Sequence, residues 1–74
     1  MKEKLYEIFN EICPFEEIED DTLLLEMGVL DSLAIFSLME KIEEQMDIII
    51  KEEDILPENF ASVEAICHML EGYK

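Results

Sequence analysis

One stretch of the chain combines residue types and spacing that could do chemistry: Met27-Gly28-Val29-Leu30-Asp31-Ser32-Leu33. A long acidic connection ends there and an amphipathic helical pattern begins. Asp31 is suited to an N-cap, where its carboxylate can accept hydrogen bonds from the free backbone N–H groups of the first turn. Ser32 then takes the first helical position, with its hydroxyl at the positive end of the helix dipole. An anion attached to that oxygen would be stabilised by about 0.3–1 kcal/mol at an exposed site. The stretch therefore presents a serine fit to carry a phosphate.

Ser32 lacks the company that a catalytic serine needs. Nucleophilic catalysis requires a base within hydrogen-bond reach and a third group to orient that base. The only histidine, His68, falls on the last helical segment, and no Gly-x-Ser-x-Gly elbow occurs. Another enzyme must activate Ser32, or Ser32 is an ordinary helix-start serine. Paired carboxylates for hydrolysis are unconvincing, since acids are everywhere and a chain this short buries only about 60% of its unfolded surface. No catalytic residue is expected.

No metal site is expected either. Cys13 and Cys67 are too few for a disulfide scaffold, form no Cys-x-x-Cys, and read as small apolar fillers. His68 lies off the apolar stripe of its segment and reads as solvent-facing. The acidic patch Glu16, Glu17, Glu19, Asp20, Asp21 invites comparison with a calcium loop. Such a loop needs oxygens at alternate positions, a Gly at the sixth and a Glu at the twelfth. Glu19-Asp20-Asp21 runs consecutively without that Gly, so weak divalent binding is the most it supports.

The elements that must position Ser32 follow from hydrophobic periodicity. Leu5, Ile8, Phe9 and Ile12 repeat at helical spacing and predict a helix over about 2–12, stopped by Pro14. A connection over 13–31 follows. Its leucines Leu23, Leu24 and Leu25, with Met27, are expected to seal one end of the molecule, with a helical turn near Thr22 to Glu26. Gly28 is expected to supply a turn conformation that side chains resist. Ile35, Leu38, Met39, Ile42 and Met46 predict a second helix over about 32–46. Asp47-Ile48-Ile49-Ile50 reads as an extended connector whose isoleucines pack under the bundle. A short helix is expected over about 52–56, ended by Pro57. Ser62 caps a last helix over about 63–71, and Phe60 closes the base. The expected fold is all-α: a small four-helix bundle, three main helices plus one short one, in a single domain over 1–74.

Leu33 and Phe36 fall off the core stripe of the second helix, with Glu40, Glu43 and Glu44 nearby. One reading has Phe36 widening the core face. The preferred one is a docking surface, with Leu33 and Phe36 in apolar contact and the three glutamates meeting Arg or Lys of a partner.

Charge narrows the class of partner. The chain of 74 residues has 20 acids against 5 bases, a net charge of −15, and no basic side chain between Lys4 and Lys41. Such a surface repels nucleic acid and anionic membranes and steers basic partners toward it. It also repels itself, so folding should weaken at low salt. No apolar run is long enough to span a membrane, and the N-terminus has no signal-peptide pattern. A cytoplasmic monomer is the expectation.

At Asp31-Ser32-Leu33, with Gly28 before it and helices on both sides, the chain resembles the acyl carrier proteins and the related peptidyl and aminoacyl carriers. Their signature is Asp-Ser-Leu opening the second helix of a small four-helix bundle, and the likeness covers nearly the whole chain. The resemblance implies that Ser32 is esterified by the 4′-phosphopantetheine arm of coenzyme A, placed there by a phosphopantetheinyl transferase, with Asp31 as the cap beside the arm. It further implies a loading enzyme that acylates the arm's thiol and downstream synthases with basic docking patches. The second helix is the family's recognition helix. The third borders the acyl chain, which makes Ile50, Ile55 and Leu56 candidates to shape a lipophilic pocket. Ala34 and Ser37 replace acids frequent in carriers for fatty-acid synthesis. Leu30 is shared with D-alanyl carriers, which usually have Met where Leu33 stands. Polyketide, aminoacyl or peptide pathways are therefore placed slightly ahead of fatty-acid synthesis. The competing class is a small acidic interaction module, a charge mimic or inhibitor, that would not need Ser32.

Overall fold

The computed structural model describes residues 2–73, whose regular structure is wholly helical: α1 (Lys2–Ile12), α2 (Ser32–Met46) and α3 (Val63–Glu71), with two 3-10 turns, Glu52–Asp54 and Pro57–Asn59, between the last two helices. α1 buries Leu5, Ile8 and Phe9. It ends where the Cys13 N–H bonds the Phe9 carbonyl at 2.7 Å, just before Pro14. α2 buries Leu38 and Ile42, and α3 buries Val63, Ile66 and Leu70. The stripes read from the sequence are thus the faces that meet, α1 packing on both α2 and α3. Each fully buried Leu, Ile or Phe contributes about 1.5–3 kcal/mol of transfer free energy. No described polar or charged residue is buried, so the core is purely apolar.

α2 ends at Asp47, whose φ of 56° and ψ of 39° lie in the left-handed region. Its N–H bonds the Glu43 carbonyl at 3.1 Å, which satisfies one free carbonyl of the last turn. Gly28 has a φ of +74°, the turn conformation expected of it.

Four local expectations need correction. The leucines of the connection do not all seal the bundle: Leu24 is fully buried and Leu25 partly, but Leu23 is half-exposed and Met27 is exposed. A single helical turn lies there, closed by the Met27 N–H on the Leu23 carbonyl at 2.9 Å. One turn can present only part of its circumference to the core, so neighbouring leucines divide between inside and outside. Leu30, not assigned to the core from the sequence, is buried instead. The Ile48–Ile50 connector has no regular structure and its burial alternates, Ile49 standing 71% exposed between buried Ile48 and Ile50. Extended backbone sends alternate side chains to opposite faces. Finally, the single short helix is two 3-10 turns separated by Ile55 and Leu56. Pro57 does not only stop a helix but opens the second turn: it holds Leu56 extended, at φ −124° and ψ 145°, and its own fixed φ suits a first helical position.

The long connection is ordered by backbone bonds to the α3 end of the molecule. The Leu24 N–H donates to the Ala61 carbonyl at 2.9 Å, and the Glu64 N–H to the Asp20 carbonyl at 3.1 Å. The latter caps α3 together with Ser62, whose Oγ accepts from the Ala65 N–H at 3.1 Å. No described helix is long and apolar enough to cross a membrane.

Candidate functional site

Asp31 caps α2 as its sequence position suggests. Its backbone is extended, at φ −124° and ψ −173°, and Oδ1 accepts from the Ala34 N–H at 2.8 Å. The Asp31 carbonyl accepts the Ile35 N–H at 2.9 Å, the first full helical bond. These two bonds leave Ser32 and Leu33 as first-turn residues whose N–H groups have no intrahelical carbonyl. Ser32 is exposed. The Asp31 carboxylate is engaged by a backbone donor and His68 is exposed on α3, and among the described residues no side-chain base hydrogen-bonds the Ser32 hydroxyl.

Beside Ser32 lies an open, mostly apolar depression of about 390 Å³, lined by Leu25, Ile35, Ile55, Leu56, Pro57 and Phe60. Of the residues expected to shape a lipophilic pocket, Ile55 and Leu56 do line it. Ile50 does not; it faces neighbouring depressions that it shares with Phe36. Phe60 lines the Ser32 depression as a fully buried side chain, so it closes that end of the core.

Along α2 the outward face is apolar near the cap and acidic beyond it. Leu33 is 79% and Phe36 61% exposed, so Phe36 does not widen the core. Glu40, Glu43 and Glu44 are also exposed. Phe36, Glu40 and Glu43 share a depression with Ile49, the outward isoleucine of the connector. Sequence reasoning placed Ile49 inside; its position between two apolar neighbours in an extended run was the signal that it would face the other way.

Two polar clusters position the surrounding segments. Tyr6 donates its hydroxyl to Asp20 Oδ1, while Lys2 Nζ donates to Asp20 Oδ2 at 2.8 Å. The Lys2 bond, then the Tyr6 bond, holds the Asp20 carboxyl below its ordinary range. Burial and then the Asp20 bond push the Tyr6 hydroxyl up to about 12. At the other end, Tyr73 donates to Asp54, which raises the phenol's pKa. Both cysteines are free and half-buried, and burial raises both thiols, consistent with apolar filling. Among the described residues no group of three or more His, Cys, Asp or Glu could hold a metal ion.

With this geometry in view, comparison with known proteins is specific. The family described as phosphopantetheine attachment site matches residues 3–70. The chain is 35% identical over 75 residues to a D-alanyl carrier protein of Listeria welshimeri, covering 99% of this chain and 96% of the relative. It is 31% identical over 72 residues to a D-alanyl carrier protein of Bacillus cereus, covering 95% and 91%. Among solved structures it is similar to a chain in the crystal structure of Bradyrhizobium japonicum glycine:[carrier protein] ligase complexed with glycylated carrier protein. The TM-score is 0.80 and the identity 25%, covering 92% of this chain and 95% of that one.

Proposed function

This chain belongs to the phosphopantetheine attachment site family of carrier proteins, and on that footing we propose that it carries a small aminoacyl cargo on an arm joined to Ser32. As a carrier it holds a covalent phosphopantetheine and is not itself an enzyme. The observation that carries the attachment reading is the exposed hydroxyl of Ser32 at the Asp31-capped start of α2, inside the matched region.

The residues present fit such a group. The serine oxygen is accessible, the helix start favours a phosphodiester, and the apolar depression offers a surface along which an arm can lie. When attached, the group supplies a flexible tether ending in a thiol, which holds cargo as a thioester and raises its effective concentration at a docked enzyme. The chain's own side chains do the rest. Asp31 fixes the helix start under Ser32. Leu33, Phe36 and Ile49 form an apolar docking centre flanked by Glu40, Glu43 and Glu44, a pattern suited to a partner with basic residues around an apolar patch. The partners in this reading are a phosphopantetheinyl transferase, a loading ligase and the enzyme that accepts the cargo.

The relatives named as D-alanyl carriers and the structure with a glycylated carrier support an aminoacyl cargo over a fatty acyl one. Leu33 keeps the reading at the level of a small amino acid rather than D-alanine alone. The test is intact mass after incubation with coenzyme A, magnesium and a broad-specificity phosphopantetheinyl transferase. Gain of one phosphopantetheine, absent in Ser32→Ala, is expected. A folded wild-type protein that gains nothing would overturn the attachment and leave the acidic interaction module. Holo-protein offered to an amino-acid ligase then reads the cargo.

A further inference from the structure

Ile55 and Leu56, two of the residues lining the depression beside Ser32, sit between the two 3-10 turns. Single turns of three residues have little stability of their own. The Pro57–Asn59 turn packs against α3, whereas the Glu52–Asp54 turn belongs to none of the closely packed pairs of elements. What ties it down is Tyr73, just beyond α3. The Tyr73 hydroxyl donates to the Asp54 carboxylate and accepts the Lys51 N–H at 2.9 Å. One hydroxyl thus spans the turn from residue 51 to residue 54. Asn59 Nδ2 donates to the Asp54 carbonyl at 2.8 Å, linking this turn to the next. Tyr73 is itself fixed by its N–H, which bonds the Leu70 carbonyl at 2.9 Å. Behind the depression the core is closed: Phe60 is fully buried. Ile55 and Leu56 form the part of the wall, beside Leu25, Ile35 and Phe60, that these turns hold in place against a chain lying in the depression.

We propose that Tyr73 and Asp54 form a clamp that holds Ile55 and Leu56 in place, keeps the depression beside Ser32 shallow, and so denies long acyl chains entry to the interior. Short cargo then remains at the surface, where partner enzymes reach it. The proposal rests on attachment of the arm at Ser32. Tyr73 and Asp54 are positioning residues, since they act through the segment they hold.

The test starts from apo-protein and supplies acetyl- or octanoyl-coenzyme A to a broad-specificity phosphopantetheinyl transferase, which joins the acylated arm to the Ser32 hydroxyl in one step and releases 3′,5′-ADP. Hydroxylamine then cleaves each thioester to a hydroxamate and a free thiol, and the two rates are compared with those of the same thioesters on coenzyme A. In the wild type neither group should be sheltered. Tyr73→Phe should slow octanoyl cleavage by about threefold to tenfold and leave acetyl cleavage unchanged, whereas general loss of stability would move both alike. Asp54→Asn keeps an acceptor for the Tyr73 hydroxyl and should behave as the wild type. In the apo-protein, Tyr73→Phe should speed amide hydrogen exchange at Ile55 and Leu56. A wild type that already shelters octanoyl, a Tyr73→Phe protein with an unchanged rate ratio, or unchanged exchange at Ile55 and Leu56 would each overturn the clamp. Failure of the attachment reading is distinct: it appears as a wild-type mass without the arm, and the exchange comparison, which needs no arm, still decides the clamp.

Discussion

Replacing Asp31 by alanine removes the hydrogen bond from the Ala34 N–H to Oδ1, 2.8 Å long, and the negative charge at the start of α2. Loss of an N-cap side chain costs about 1 kcal/mol. Loss of the charge beside the helix dipole costs a further ~0.3–1 kcal/mol at low ionic strength. Asp31 is exposed, so the lower half of that second range applies and the sum is about 1.5 kcal/mol, falling toward ~1 kcal/mol as salt screens the charge. For a domain of this size each kcal/mol moves the melting midpoint by about 4–8 °C. At low salt Asp31→Ala should therefore melt about 6–12 °C below the wild type. Asp31→Asn keeps an acceptor oxygen and loses only the charge, so it should stay within about 0.5 kcal/mol. Thermal and urea unfolding of the three apo-proteins, followed by far-ultraviolet circular dichroism, measures both differences. An Asp31→Ala protein that melts with the wild type at low salt would refute the cap as a source of stability. An Asp31→Asn protein as weak as Asp31→Ala would show that the charge, not the hydrogen bond, sets the effect.

Asp47→Asn should raise stability by about 0.5–1 kcal/mol, because asparagine tolerates the left-handed backbone at φ 56° and removes a negative charge from the negative end of α2; chemical denaturation measures it. The Tyr6–Asp20–Lys2 cluster gives a signed pH dependence. Asp20 is depressed, so its contribution is present above the unfolded carboxyl value near ~4 and lost as pH falls through its lower folded value. Tyr6 is raised to about 12, so its contribution is present below ~10 and lost as pH rises toward 12. The stability gap between wild type and Asp20→Asn should therefore be flat at neutral pH and shrink at the acid end. Leu33→Ala with Phe36→Ala should slow loading by a partner ligase by about tenfold or more while barely changing the melting midpoint, because both side chains are exposed. Replacing Glu40, Glu43 and Glu44 by Gln should slow association and flatten its salt dependence, which steady-state loading at two ionic strengths would show.

Helix existence and helix starts were legible because their causes are local. The stripe Leu5, Ile8, Phe9 is decided by spacing within two turns, and the caps Asp31 and Ser62 by a side chain and an N–H three residues apart. The same locality made the candidate site legible: Ser32 is exposed at a helix start because Asp31 puts the helix start there. Leu33 and Phe36 fell on the outward face by the same helical arithmetic that sent Leu38 and Ile42 inward.

What the tertiary structure alone decided lies where residues distant in the chain must meet. Nothing near Leu23 to Leu25 says which of them is buried; the bond from Leu24 to Ala61 sets the orientation of that turn, and with it Leu24 inside and Leu23 half-exposed. The tie from Tyr6 to Asp20 spans 14 residues, that from Lys2 to Asp20 spans 18, and that from Tyr73 to Asp54 spans 19. No helical or strand period reaches so far. The amino-acid sequence by itself determined the helices and the serine that heads α2. The depression beside that serine, and the clamp on its wall, exist because packing three apolar stripes against one another brings the connecting segments to fixed places, where single hydroxyls can hold them.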